Sequence, residues 1–179
     1  MRFSLPKQMI PPIEGGRIRL RLIERTDLPM TLRWRNQDHI RKGFFHSEII
    51  SPEQHQVWFE GYLERDNDYV FIIEETYKFQ RPVGQISLYN IDWNKKRTEL
   101  GRFMIGDAEA SGKGLAKKAC QLLIEFAFDQ WNLGEIYLRV LKQNAVIAFY
   151  RKLNFQRERE YGNKVFMRLL NPIFVQGQS

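Results

Sequence analysis

The sequence predicts one α/β (α+β) domain, a mixed central sheet of about six to seven strands flanked by about four helices. Three observations carry this reading. Segments with period-two alternation or β-branched and aromatic enrichment take turns with segments of helical period. A chain of 179 residues builds a sizeable single core, whereas two full domains would be cramped. With 43% hydrophobic and 27% charged residues, and only 7 Pro and 12 Gly, a disordered or fibrous chain is excluded.

Pro6, Pro11, Pro12, Gly15 and Gly16 punctuate residues 1–16, which are expected to be a tail, as is the polar, small-residue stretch 171–179; the domain is expected over 17–170. Arg17-Ile18-Arg19-Leu20-Arg21-Leu22 alternates charged and apolar residues and reads as a strand with Ile18, Leu20 and Leu22 inward. Thr26 and Asp27 are capping types and Pro29 suits an early helical position, so a helix follows through Trp34 and ends near Asn36. Ser51-Pro52-Glu53-Gln54 is a capping box, and the helix it opens carries Trp58, Phe59, Tyr62 and Leu63 on one side. Tyr69–Glu75, Pro82–Ile91 and Thr98–Ile105 read as three consecutive strands. Leu115, Ala119, Leu122, Leu123, Phe126 and Ala127 lie on one face of a long helix that Gly134 ends. Glu135–Leu141 is then a strand and Ala145–Leu153 a short helix. Phe155–Leu170 forms two strands around a Gly162-Asn163 turn.

Lys and Arg (28) exceed Asp and Glu (21), giving a net charge of +7 and favouring anionic partners. The basic residues are scattered rather than gathered with aromatics, so nucleic acid is not the expected partner. The single Cys120 forms no internal disulfide and fits a reducing compartment. No apolar run suits a signal peptide or a membrane span, so the expected location is the cytoplasm, with no membrane partner and no metal.

The most informative segment joins the third consecutive strand to the long helix: Gly106-Asp107-Ala108-Glu109-Ala110-Ser111-Gly112-Lys113-Gly114-Leu115-Ala116-Lys117. Its glycines let backbone N–H groups converge, and a helix N-terminus adds positive potential, so the junction suits a pyrophosphate, with Lys113 and Lys117 beside it. It is not a Walker A loop, because Gly114 stands where Ser or Thr would bind magnesium; nor is it a GxGxxG fingerprint, because Lys117 replaces the third glycine. A tight turn without ligand fits the same residues.

Downstream, Val140 through Asn144 leads into Ala145-Val146-Ile147-Ala148-Phe149-Tyr150-Arg151-Lys152-Leu153-Asn154-Phe155. Together with Ser111-Gly112-Lys113-Gly114-Leu115-Ala116, this resembles the GNAT N-acetyltransferase superfamily, with its R/Q-x-x-G-x-G/A loop and its N…Y-x-K-x-G-F stretch. Ser111 stands in place of the usual Arg or Gln, Asn154 in place of Gly, and the Asn144–Tyr150 spacing is one residue shorter than the pattern.

The resemblance implies acetyl-CoA as co-substrate, its pantetheine against the backbone of Phe103, Met104 and Ile105 and its pyrophosphate on Gly112 to Lys117, with Ser111, Asn144 and Tyr150 also among the cofactor-binding residues. It also implies that Tyr150 is the acid for the departing thiolate; a buried packing tyrosine is the plainer alternative. The N-terminal half further resembles the acetyltransferases of nucleotide-linked amino sugars, in Trp34-Arg35-Asn36, Ser51, His55, Trp58-Phe59, Gly84, Ser87, Ile91 and Asp92. By that likeness Ser87 lies by the acceptor amine, and Glu99 enters the third strand where other members of the superfamily place a carboxylate base that works through water. Trp34, Arg35, Asn36, Arg41 and His46 then bind a small-molecule substrate, with a homodimer left open. Each also has a plainer reading: Trp34 as core, Ser87 as a small sheet residue, Glu99 as a solvated strand end, the arginines as solvated surface. His55, one turn into a capped helix, reads as a hydrogen-bonded structural side chain. Rival functions are a ribosomal-protein-type N-terminal acetyltransferase and a non-catalytic acetyl-CoA-binding module.

Overall fold

The computed structural model describes residues 7–176 and forms one eight-stranded sheet. In chain order the elements are β1 (Ile13–Gly15), β2 (Ile18–Leu22), α1 (Leu28–Arg35), α2 (Asp38–Arg41), α3 (Pro52–Leu63), β3 (Asp68–Glu75), β4 (Arg81–Asp92), β5 (Arg97–Ile105), α4 (Leu115–Asp129), β6 (Glu135–Leu141), α5 (Val146–Lys152), β7 (Gln156–Tyr161), β8 (Lys164–Leu170) and α6 (Pro172–Gln176). The spatial order is β1-β2-β3-β4-β5-β6-β8-β7. All neighbours are antiparallel except β5 and β6.

The expected order of strands and helices is present, with β1, α2 and α6 added. Part of the segment expected as an N-terminal tail is β1, which pairs with β2 through Ile13↔Leu20 and Gly15↔Ile18, and Ile10 is buried beside it. The C-terminal segment includes α6, anchored by Asn171, whose Nδ2 donates to the Leu133 carbonyl at 3.0 Å. Residues 1–6, including Pro6, and 177–179 lie outside the described residues.

Helices cover both faces of the sheet, which explains why β3 (DYVFIIEE) is buried almost throughout instead of alternating. On one face Leu115, Ala119, Leu123 and Ala127 of α4 pack with Ile18, Leu20, Phe71, Ile86 and Leu88. On the other, Leu28, Phe59 and Tyr62 from α1 and α3 cover Val70 and Ile72. The capping box forms as its spacing requires: Gln54 N donates to Ser51 Oγ at 3.2 Å and Ser51 N to Gln54 Oε1 at 2.8 Å. The far edge, β7, is fully exposed, rich in charge and interrupted by a register shift between Arg157 and Arg159, features that discourage pairing with another edge.

Two irregularities prepare the site. Opposite Ile86, β5 carries an extra residue, with Ser87↔Gly101 followed by Gln85↔Met104, and Arg102 takes φ 47 to absorb it. The parallel pairing of β5 with β6 covers only Arg97–Glu99 and Glu135–Tyr137, after which the two strands part.

Candidate active site

The gap between β5 and β6 is a cavity of about 300 Å³. Phe103 and Met104 stand on one wall, Leu138 and Val140 on the other, and Asn144 and Tyr150 border it as well. Because no strand pairs with the β6-facing side of β5 beyond Glu99, backbone groups of this segment are left without a ladder partner there. Ile105 continues the strand past the cavity wall.

Below the gap, the glycine-rich loop leads into α4. Asp107 caps a single 3-10 turn at Ala108–Ala110, accepting from Glu109 N at 2.9 Å and Ala110 N at 3.3 Å, while Arg81 donates to Asp107 Oδ2 at 2.7 Å and pairs with Glu109. One arginine thus ties down both of the loop's carboxylates. Gly112 and Gly114 sit at φ +71 and +75, a region where a side chain is strained, and open space surrounds both. Arg17 Nη2 donates to the Lys113 carbonyl at 3.0 Å and braces the loop from β2. Gly114 is the N-cap of α4, with Leu115 buried beneath and Ser111, Lys113 and Lys117 exposed around the turn. Converging amides, a helix start and exposed lysines fit a pyrophosphate, and the unpaired side of β5 fits an amide-bearing pantetheine arm.

Asn144 resolves the shortened motif by starting α5 itself: its Oδ1 accepts from Val146 N at 3.0 Å, and its Nδ2 reaches the Gly43 carbonyl at 3.5 Å. Tyr150 on α5 is 4% exposed, set edge-on to Phe149 and Phe155 at centroid distances of 5.3 and 5.6 Å. Burial, reinforced by Cys120 and Tyr89, pushes its phenol well above the usual range, so the hydroxyl keeps its proton.

A second cavity, about 530 Å³, lies on the α1–α3 side and shares Phe44, Arg102 and Met104 with the first. Of the five residues expected to bind substrate, two line it: Arg35 and His46. The Arg35 guanidinium donates to the His46 carbonyl and lies 4.2 Å from the Phe44 ring centroid, while its Nη1 is buried with no partner among the described residues. Burial lowers its pKa, Glu48 opposes that and Arg41 adds to it.

The other three act differently from expectation. Trp34 is 8% exposed and lies against Gly106, where a Cβ would fall inside its indole ring; it is a wedge between α1 and the end of β5, away from both cavities. Asn36 clamps the loop before α3, donating to the Ile50 carbonyl at 2.8 Å and accepting from Ile50 N at 2.9 Å. Arg41 pairs with Asp38 at 2.8 Å and donates to the Ser47 carbonyl at 2.8 Å. Arg35, Asn36 and Arg41 together fasten the 42–51 loop that roofs the larger cavity.

Two residues expected to be catalytic are placed elsewhere. Ser87 is 0% exposed, faces Gly101 across the ladder, lines neither cavity, and its Oγ has no partner among the described residues. Glu99 is not a solvated strand end. It is 1% exposed, takes two hydrogen bonds from Arg139 at 2.7 and 2.9 Å and one from Asn90 at 2.9 Å, and lies outside these two cavities on a separate one of about 420 Å³, with Asn90, Tyr137 and Arg139.

The larger cavity also gathers Thr31, Gln85, His55 and Arg102, brought together from α1, β4, α3 and β5. Arg102 pairs with Asp68 through contacts of 2.6 and 3.1 Å. Only His55 had a sequence signal, its place in the capped helix. The described residues hold no cluster of three or more potential metal ligands and no helix long and apolar enough to cross a membrane.

Residues 17–156 match the Acetyltransferase (GNAT) domain family. Spermidine N(1)-acetyltransferase of Escherichia coli strain K12 is 27% identical over 162 residues, covering 90% of this chain and 80% of that protein. The N-acetyltransferase 9-like protein of Caenorhabditis briggsae is 26% identical over 135 residues, 70% of this chain and 67% of that one. Among solved structures, spermidine N-acetyltransferase from Vibrio cholerae in complex with CoA and spermine aligns with a TM-score of 0.79 at 22% identity, covering 90% of this chain and 99% of that one. Apo FdhC, a nucleotide-linked sugar GNAT, aligns at 0.78 and 21% identity, covering 93% and 94%. With the family match spanning most of the sheet and the glycine loop, the chain belongs to the GNAT acetyltransferase family and is an acetyl-CoA-dependent N-acetyltransferase.

Proposed function

We propose that the acceptor is the amine of a nucleotide-linked amino sugar, held in the larger cavity. The observation that carries this is Arg35, whose buried Nη1 has no acceptor among the described residues. An unmatched buried donor costs about 1–3 kcal/mol, which an anionic group on the substrate would offset. On the same cavity wall Arg102 is already paired with Asp68, so Arg35 is the cation whose donor is left for a phosphorylated acceptor.

Acetyl-CoA supplies the acetyl thioester. The chain's own residues bind and orient: Gly112 to Lys117 hold the pyrophosphate, Phe103 to Ile105 align the pantetheine arm, and the cavity shared through Arg102 and Met104 brings acceptor and thioester together. Tyr150, protonated and bordering the gap, gives its hydroxyl proton to the departing sulfur.

A polyamine acceptor is the second reading, favoured by the likeness to spermidine acetyltransferases and by Glu48 on the cavity wall. A thiol-release assay across sugar nucleotides, spermidine and N-terminal peptides chooses between them. Arg35→Met should raise KM for the sugar nucleotide roughly tenfold or more, equivalent to about 1.4 kcal/mol, and leave spermidine turnover no worse. Activity on spermidine alone, or a sugar-nucleotide KM that Arg35→Met does not move, would overturn the reading.

A further inference from the structure

We infer that His55 is the base that removes the proton from the acceptor ammonium, with Nδ1 as the accepting atom and Thr31 as its positioning residue. The inference rests on the amine-acetylating activity, not on which amine is the acceptor.

The argument starts from one hydroxyl proton. Thr31 Oγ1 lies 3.1 Å from the Asp27 carbonyl oxygen, 3.3 Å from the Leu28 carbonyl oxygen and 3.0 Å from His55 Nε2. Carbonyl oxygens only accept; with the single hydroxyl hydrogen assigned to the Asp27 carbonyl, the Thr31 oxygen accepts from Nε2–H. This sets the neutral imidazole in its Nε2–H tautomer and leaves the Nδ1 lone pair bare. Nδ1 has no hydrogen bond to the described residues and is not among the buried polar atoms sealed without a partner.

The ring is held as firmly as its tautomer. Trp58, one helical turn away, stacks on it with centroids 5.1 Å apart and planes 8° from parallel, and the capping box fixes the first turn of α3. The charged and titratable groups on the same cavity are Arg35 from α1, His46 and Glu48 from the preceding loop, and Arg102 from β5, which Asp68 balances. Burial lowers the His55 pKa below its ordinary value of 6.5, keeping the imidazole neutral and able to accept at neutral pH. The carboxylate expected for this task, Glu99, is bound by Arg139 and Asn90.

The step balances. The ammonium gives one proton to Nδ1, which passes it to solvent. The freed amine forms the C–N bond as the C–S bond breaks, and the sulfur takes the Tyr150 hydroxyl proton. The second proton leaving the nitrogen restores Tyr150 through water. The sum is ammonium plus acetyl thioester giving amide, thiol and one proton.

Two measurements test this. Long-range 1H–15N NMR of the intact protein, with the His55 signal assigned by its absence in His55→Gln, should show Nε2 protonated, Nδ1 bare and titration below 6.5; a protonated Nδ1 in the neutral ring overturns the proposal, whatever the acceptor is. His55→Gln retains a donor toward Thr31 but cannot take a proton. With acetyl-CoA and the best amine of the acceptor panel it should lower kcat at pH 7 about 10²-fold or more. The loss should shrink as pH rises toward the amine's own pKa, while acetyl-CoA affinity stays within about twofold of the parent. A loss independent of pH indicates a structural role and overturns the proposal, as does an unchanged kcat. If every acceptor on the panel fails, the acceptor reading falls, and the NMR result still decides whether Nδ1 is free to act.

Discussion

Replacing Trp34 with Ala separates two roles with opposite signatures, a sugar platform and a wedge in the core. The indole is 8% exposed and occupies the space above Gly106. A buried Trp removes about 150–250 Å² from water, and at about 25 cal/mol per Å² this amounts to roughly 4–6 kcal/mol as an upper bound. Large-to-small core substitutions of this kind cost about 3–5 kcal/mol, so about 4 kcal/mol is expected. For a chain of this length that lowers Tm by roughly 8–16 °C. Urea denaturation followed by circular dichroism gives the free energy directly. Gly106→Ala supplies the internal control. Alone it drives a methyl group into the indole, whereas in the Trp34→Ala background that space is vacant. The double variant should therefore be more stable than the sum of the two single losses implies, by about 1 kcal/mol or more. Stability within about 0.5 kcal/mol of the parent with a raised acceptor KM, or strictly additive losses, would refute the wedge and restore the platform.

Three further outcomes follow from other parts of the molecule. Gly114→Ala places a side chain at φ +75, costing about 1–2 kcal/mol locally; calorimetric titration should show weakened acetyl-CoA binding, and unchanged affinity would remove the loop from the donor site. Tyr150→Phe should lower kcat about 10²-fold with acetyl-CoA affinity nearly intact, while an unchanged kcat would exclude it as the proton donor. Glu75 is buried, which alone would raise its pKa, but its Oε2 accepts from the backbone N–H groups of Tyr77, Lys78 and Phe79 at 3.3, 2.8 and 2.6 Å, and the net effect places the carboxyl below its ordinary 4.5. The unfolded chain therefore takes up the proton first, so this stabilisation is complete above about pH 4.5 and is lost as pH falls through the lower folded value. Glu75→Gln should cost about 2 kcal/mol at pH 7 and flatten the acid limb of the stability profile; an unaltered limb would contradict the assignment.

Much of the framework was legible because its signals are local. Ser51 and Gln54 specify a helix start within four residues, Arg17 to Leu22 alternate against a half-buried face, and Gly162 turns a hairpin between β7 and β8. Strand β1 was hidden by the prolines before it, since its three residues become a strand only by pairing with β2. Helix α2 is a single turn without periodicity, closed by Arg41 and Asp38.

The glycine turn before α4 was readable for the same reason: Gly112 and Gly114 adopt backbone angles that glycine tolerates best, and they adjoin the helix that follows them in sequence. The larger cavity was not, because its surroundings depend on partners far apart in the chain. Glu99 met Arg139, Trp34 met Gly106 and His55 met Thr31. Residue type and spacing determined the layered α/β fold and the glycine turn before α4, since backbone angle, period and capping act over a few residues. Which carboxylate is paired, which aromatic is buried and which hydroxyl the imidazole meets were decided only in the tertiary structure, because hydrogen bonding and desolvation depend on neighbours in space.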